Sequence, residues 1–274
     1  MIILNKDKLK RIAQRYSVIY HEILLLLSKI LDIEYSKLFF AKSYDVSDED
    51  YEKLKLFLAR RGKGEPIAKI IEKKEFYGLF FKTTKDTLDP RPETELIIDV
   101  FKRYYADTSL NLRILDLGSG TGCIGITLLK LYPKGYCQFV DISPKALKIA
   151  QENANIHNVI LRSEFVLSNW FENVNGRFDI IVSNPPYVAV NYKLDRETLY
   201  DPAIALFAGN DGMDAYHIIL SNASKYLKAD GILILEIGYN QAEYIKHIIS
   251  DLKLLSIKKD LSHHNRVCIF VNKN

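Results

Sequence analysis

A chain of 274 residues, 48% apolar and 26% charged, has the composition of an ordinary globular protein, with room for one large domain or a large and a small one. Its net charge of +4 is too small to argue by itself for a nucleic-acid or ribosomal partner, although 18 Lys and Arg stand before residue 86 against 12 Asp and Glu. The three cysteines, Cys123, Cys137 and Cys268, lie far apart inside apolar segments, which suits buried thiols in a reducing compartment rather than a disulfide framework or a zinc site. The opening MIILNKDKLKRI lacks the pattern of a signal peptide, and EILLLLSKIL is about half as long as a membrane span. A cytoplasmic protein with no membrane segment is expected.

The first part reads as helical. Apolar residues at mixed three and four spacing run from about 6 to 31, and a second helix is expected over about 34–42. A third begins at Ser47, whose hydroxyl can cap it, with Asp48, Glu49 and Asp50 favouring the positive end of its dipole, and stops near Gly62. EFYGLFFKTT has the aromatic density of a β-hairpin. After the prolines at 90 and 92, PETELIIDVFKRYY predicts a helix with Pro92 at its first position. These signals divide the chain into a helical N-terminal region, 1–85, with a hairpin linker from about 70, and a second domain, 86–274.

From Leu112 onward strands alternate with helices, the signature of a mainly parallel sheet covered on both faces. The strands are RILDLG, GYCQFVD, SEFVLS, FDIIVS, GILILEIG, LLSIKK and RVCIFVN. Only the short DLSHHN separates the last two, so the seventh is expected antiparallel to the sixth in a seven-stranded, Rossmann-like α/β sheet. His263 and His264 read as the tip of that hairpin, not as metal ligands; no metal is expected.

LDLGSGTGCIG places Gly118, Gly120 and Gly122 directly after the first strand, where glycines let the backbone approach a ligand at a helix N-terminus. Gly120, Gly122 and Gly125 also satisfy the dinucleotide fingerprint GxGxxG, with Asp141 about 20 residues further on to hold a ribose diol. The loop therefore announces an adenosine-containing cofactor without choosing one. Two features favour S-adenosylmethionine over NAD. Asp116 completes D-x-G-x-G-x-G, and SNPPY, Ser183 to Tyr187, follows the fourth strand at the same carboxyl-end crevice.

Two prolines in a row remove two backbone donors and fix two φ angles, so neither strand nor helix continues through them. Such a rigid turn suits methyl transfer to a planar nitrogen. The Asn184 side-chain carbonyl and the Pro185 backbone carbonyl can accept both N–H bonds, while Tyr187 covers one face of the group.

The segments LDLGSGTGCIGI, VDISPKALKIAQENA, NWFE and FDIIVSNPPYV resemble the glutamine methyltransferases of the HemK type, which methylate peptide chain release factors. So do RRGKGEPIAKIIEKKEFYGLFF, DPRPETELI, DPAIALFAGNDGMDAY and LEIGYNQ, extending the resemblance from about Arg60 to the end. It implies methylation of the glutamine of a GGQ motif in class 1 release factors, and hence a part in translation termination. By resemblance Gly118, Ser119, Gly120, Thr121, Gly122 and Asp141 hold the cofactor, and Trp170 flanks its adenine. Asn184, Pro185, Pro186 and Tyr187 hold the substrate, with Arg91 and Glu93 of the RPETE segment at its border, and the N-terminal region helps to recognise the release factor. Asn169 stands where the family carries an acid; its Oδ1 can still accept from an adenine amino group. Asp89 replaces a more usual apolar residue.

A nucleic-acid adenine methyltransferase would use the same turn on a flipped base, but the chain lacks a separate basic target-reading segment. A glutamine methyltransferase acting on a ribosomal protein would differ mainly in what replaces RPETE. An intact NPPY turn argues against a non-catalytic cofactor-fold protein, and a dehydrogenase would have no use for it. Neither membrane nor direct nucleic-acid binding is expected, and a monomer is.

Overall fold

The structure is a computed structural model and describes residues 1–272. Two compact units emerge, one of residues 1–73 with 194–200, the other of 74–193 with 201–272. The division falls at 73/74, before the hairpin, because the hairpin aromatics Phe76 and Phe81 are buried in the apolar layer of the second unit. Among the described residues no helix is long and apolar enough to cross a membrane.

The first unit contains a small antiparallel ribbon, β1 (Ile2–Asn5) with β2 (Ser43–Val46), which its short strands had hidden among helical signals. Around it lie α1 (Lys6–Tyr16), α2 (Tyr20–Leu31), α3 (Tyr35–Phe40), α4 (Asp48–Gly62) and α5 (Ile67–Ile71). The helical stretch from 6 to 31 is broken at Ser17, which takes the left-handed conformation (φ 54) that glycine more often supplies. Glu22 then reaches back to the Ile19 N–H at 3.1 Å and starts α2. Ser47 caps α4 by accepting from the Asp50 N–H at 3.0 Å, as its sequence predicts. The inserted segment 194–200 is held inside this unit by an Arg61–Glu197 ion pair of 2.7 Å and by Arg196 donating to the Gly62 carbonyl at 3.1 Å.

The second unit opens with β3 (Lys74–Phe76) and β4 (Leu79–Phe81). Tyr77 and Gly78 between them both have positive φ, 51 and 74, as a two-residue type I′ hairpin turn requires. A 3-10 turn over Pro92–Thr94 leads into α6 (Glu95–Tyr104). The seven-stranded sheet comprises β5 (Arg113–Leu117), β6 (Tyr136–Asp141), β7 (Ser163–Leu167), β8 (Phe178–Ser183), β9 (Leu227–Glu236), β10 (Leu252–Lys259) and β11 (Asn265–Asn272). Its order is β10-β11-β9-β8-β5-β6-β7, with β11 antiparallel to both neighbours and the rest of the pairings parallel.

Helices α7 (Cys123–Leu131), α8 (Pro144–Ile156) and α9 (Asp214–Tyr226) make the crossovers, and the short α10 (Ala242–Lys246) follows β9. Ile97, Phe101, Ile126 and Leu129 bury one face of the sheet, and Tyr216, Ile219, Leu220 and Ala223 bury the other. The strand order reverses between β5 and β8, so the turns after these strands diverge and open a crevice at their carboxyl ends.

Candidate active site

A cavity of about 300 Å³ occupies that crevice, a size that suits a small-molecule ligand. The glycine loop after β5, the end of β6, the turn after β7 and the turn after β8 all contribute to its wall. Gly118, Ser119, Gly120, Thr121, Asp141, Asn169, Trp170, Asn184, Pro186 and Arg91 line it. Gly122, Pro185, Tyr187 and Glu93 stand outside the lining, Glu93 on the exposed side of its turn.

The glycine loop spends its donors internally. Gly118 and Ser119 N–H both reach the Val140 carbonyl at 2.8 and 2.9 Å, and Gly122 N–H reaches the Ser119 carbonyl at 2.7 Å. Gly120 N–H donates to Asp141 Oδ2 at 2.8 Å, and Gly125 N–H, in the first turn of α7, to Asp116 Oδ2 at 2.9 Å. A pyrophosphate site needs such groups free and a positive field. Here they are committed, and two carboxylates stand beside them. Burial pushes Asp116 up to about 7 and raises Asp141 as well. A cofactor that brings positive charge relieves this arrangement, and one that brings a diphosphate aggravates it. Asp116 does not line the cavity; it fixes the junction of loop and helix.

Asp141 closes β6 with Oδ1 accepting from the Ser143 N–H at 2.9 Å. Each oxygen retains a lone pair, so the carboxylate can still take a diol. Trp170, half-buried in the turn after β7, has φ 51, an uncommon conformation for a bulky side chain and one that tends to mark ligand sites. Next to it Asn169 Nδ2 donates to Glu172 Oε1 at 2.8 Å. Since a carboxylate only accepts, the Asn169 amide keeps Oδ1 for a ligand donor.

The turn after β8 is braced from several directions. Ser183 Oγ donates to the Leu117 carbonyl at 2.6 Å, joining the ends of β8 and β5. Val188 pairs with the 206–208 segment through bonds of 2.8 and 3.0 Å. Gln241 is buried, and Nε2 donates to the Tyr187 carbonyl at 3.0 Å while Oε1 accepts from Gly238 N–H and Tyr216 Oη at 2.9 and 3.0 Å. Burial raises the pKa of Tyr187 first of all, and the nearby Glu236 adds to the effect, so its phenol stays neutral.

The chain is similar to relatives of known name. The region 10–71 matches the PrmC N-terminal domain family and 83–201 the methyltransferase small domain family. A release factor glutamine methyltransferase of Agrobacterium fabrum is 35% identical over 90% of this chain and 88% of its own. The chain belongs to the release factor glutamine methyltransferase family. A bifunctional methyltransferase of Rickettsia bellii is 39% identical over 89% of this chain, which spans 49% of that protein's length. This chain covers about half the length of several such bifunctional relatives. A methyltransferase structure from Pyrococcus furiosus shares the fold, with a TM-score of 0.53 and 16% identity over 82% of this chain and 98% of its own.

Within this family frame the RPETE segment acquires definite contacts. Arg91 Nη2 pairs with the buried Asp201 at 2.5 Å, and Glu95 accepts from the Tyr77 N–H at 2.8 Å, holding the hairpin turn. Asp89, unexplained by its sequence position, is buried and accepts from Thr83 Oγ1 at 2.5 Å.

Other contributors carried no assigned role in the sequence. Asn153 ties the Lys82 backbone to the Thr121 carbonyl of the glycine loop, with bonds of 2.7 to 2.9 Å. Its signal was a polar residue inside the apolar stripe of Ala146, Ala150 and Ala154 on α8. Gln241 offered no such pattern, because it sits in a turn.

Proposed function

We propose that this chain transfers a methyl group from S-adenosylmethionine to the side-chain amide nitrogen of a glutamine in class 1 peptide chain release factors. The observation that carries this reading is the placement of Asn184 on the wall of the same cavity as the glycine loop and Asp141, in a chain of this family. The bound cofactor supplies an electrophilic methyl group on a sulfonium. The protein's task is orientation.

An amide nitrogen is a weak nucleophile because its lone pair is delocalised. Asn184 Oδ1 and the Pro185 carbonyl accept its two N–H bonds, and the Tyr187 ring covers its plane. The lone pair then points in one direction at little reorganisation cost. The proton that leaves after C–N bond formation is acidic enough to pass to water. We place the chain in the cytoplasm as a monomer, where its three unpaired, buried cysteines suit the redox conditions.

Incubation with labelled S-adenosylmethionine, a release factor, a ribosomal protein and DNA tests the reading. Label is expected on the release factor, at the glutamine of its GGQ motif by peptide mass spectrometry. Label on DNA alone would establish an adenine methyltransferase instead.

Asp141→Ala is expected to weaken cofactor binding by about 1–3 kcal/mol, the scale of lost charged hydrogen bonds. The same substitution also frees Gly120 N–H, so part of the loss comes from a looser glycine loop. Calorimetry checks this; an unchanged affinity would remove Asp141 from the ribose site.

The glutamine loop of a folded partner offers the cavity little area, so selectivity must come from contacts elsewhere. The N-terminal unit carries an exposed aromatic cluster suited to that purpose. His21 stacks on Phe39 at 5.8 Å, and Phe39 meets Phe40 edge-on at 5.3 Å, with Phe40 82% exposed. Phe40→Ala is expected to raise KM for intact release factor roughly 10-fold, as for a moderate interface anchor, and to leave turnover of a short glutamine peptide unaltered. Equal KM values for the intact protein would show that docking uses another surface.

A further inference from the structure

Asn184 Nδ2 donates to Thr94 Oγ1 at 3.0 Å. A side-chain amide turned by 180° has nearly the same shape, so its neighbours decide which end faces the cavity. For Asn169 the neighbour is a carboxylate and the choice is forced. A threonine hydroxyl both donates and accepts, so Thr94 alone forces nothing. Behind it lies Glu236 at the carboxyl end of β9. Thr94 is 2% exposed and Glu236 1%, and the Thr94 hydroxyl lies close enough to the Glu236 carboxyl to favour its charged form. Glu236 Oε2 has no partner among the described residues. A buried acid with an unpartnered oxygen is costly unless it serves a purpose.

We propose that Thr94 and Glu236 are positioning residues that fix the polarity of the Asn184 amide for methyl transfer. The Glu236 carboxylate accepts the Thr94 proton, so the Thr94 oxygen can only accept, and it accepts from Asn184 Nδ2. Asn184 Oδ1 is thereby left to receive an N–H of the substrate amide. The inference rests on the reading of Asn184 as the acceptor for the substrate glutamine.

Protonation of Glu236 reverses the chain. A carboxylic acid can donate to Thr94, the hydroxyl can then donate to Oδ1, and the Asn184 NH₂ turns toward a substrate NH₂, donor against donor. Burial raises the Glu236 pKa to about 7; Arg266 and Arg91 oppose the rise and Glu93 adds to it. Tyr187, Tyr216 and Cys123 also lie within its field. The carboxylate form therefore prevails above neutrality, and kcat falls as pH drops through about 7.

The test uses the full chain with intact release factor, alongside the side-chain amide signals of Asn184 in ¹⁵N-asparagine-labelled protein. Thr94→Val is expected to lower kcat by roughly 10²-fold, the scale on which misplacing a group near the chemistry costs rate, with cofactor affinity retained. Thr94→Ser should restore most of it, and Glu236→Gln should abolish the fall of kcat below neutral pH. In the wild type the Asn184 signals should titrate with Glu236 and respond to Thr94→Val.

Should the wild type label no release factor while those signals still respond, the substrate reading fails and the positioning role stands. Should the wild type label release factor while Thr94→Val and Glu236→Gln match its rates and pH profile with unmoved Asn184 signals, the proposal is overturned.

Discussion

Asn184→Ala is expected to lower kcat by roughly 10²- to 10³-fold, the measured scale for removing one preorganised polar group from a reacting centre. Two losses combine in that figure. The substrate amide loses an acceptor held in place by the turn, and Thr94 loses the donor that now occupies its lone pair at 3.0 Å. The backbone is expected to hold. Its geometry comes from the paired prolines, from Ser183 on the Leu117 carbonyl and from Gln241 on the Tyr187 carbonyl, none of which involves the Asn184 side chain. Cofactor affinity should therefore change far less than turnover, although Asn184 lines the shared cavity.

Asn184→Asp sharpens the test. It preserves shape and an acceptor oxygen, but it adds a charge beside Thr94 and removes the donor to its hydroxyl, so it should be closer to alanine than to wild type. Turnover near normal in either variant, in single-turnover assays on release factor, would take Asn184 out of the chemistry.

The parts of this site legible in the sequence are those encoded locally. Three glycines after a strand, an acid closing the next strand and two prolines after another each restrict the backbone within a few residues. Parallel β5, β6 and β8 then bring the three places together without further instruction. The hairpin is legible for a similar reason, since the aromatic density of EFYGLFF is a local signal.

The braces were not. Gln241 bonds to a carbonyl 54 residues away, Asn153 to one 71 away, and Arg91 to a carboxylate 110 away. Nothing near those residues in the chain names the partner. The β1–β2 ribbon escaped because its strands are four residues each and pair across more than 35 residues of helical signal. Asp89 takes its place from Thr83, whose hydroxyl donates to it within a segment that forms neither helix nor strand.

Gly125→Ala is expected to destabilise the second unit, although alanine is the better helix former. In an open helix the exchange gains up to about 1 kcal/mol. At position 125 the added Cβ would lie 2.5 Å from Phe139 Cε1, 2.8 Å from Cys137 Sγ and 2.9 Å from Asp116 Oδ2. None of the three can easily yield. Phe139 is fully buried and stacked on Phe165 at 5.0 Å, Cys137 is fully buried, and Asp116 is held by Gly125's own N–H at 2.9 Å.

Overpacking of this kind costs about 1–3 kcal/mol or more, which outweighs the helical gain and lowers Tm by about 2–4 °C for each net kcal/mol. Because the displaced atoms include Asp116, the glycine loop moves too, and cofactor affinity should fall together with Tm. Cys137→Ala removes one of the three obstructing atoms. The double variant should therefore lose less stability than the sum of the single losses. Thermal unfolding of the four proteins checks both statements, and a Gly125→Ala protein as stable as the wild type would show that α7 can lift from β6 without penalty.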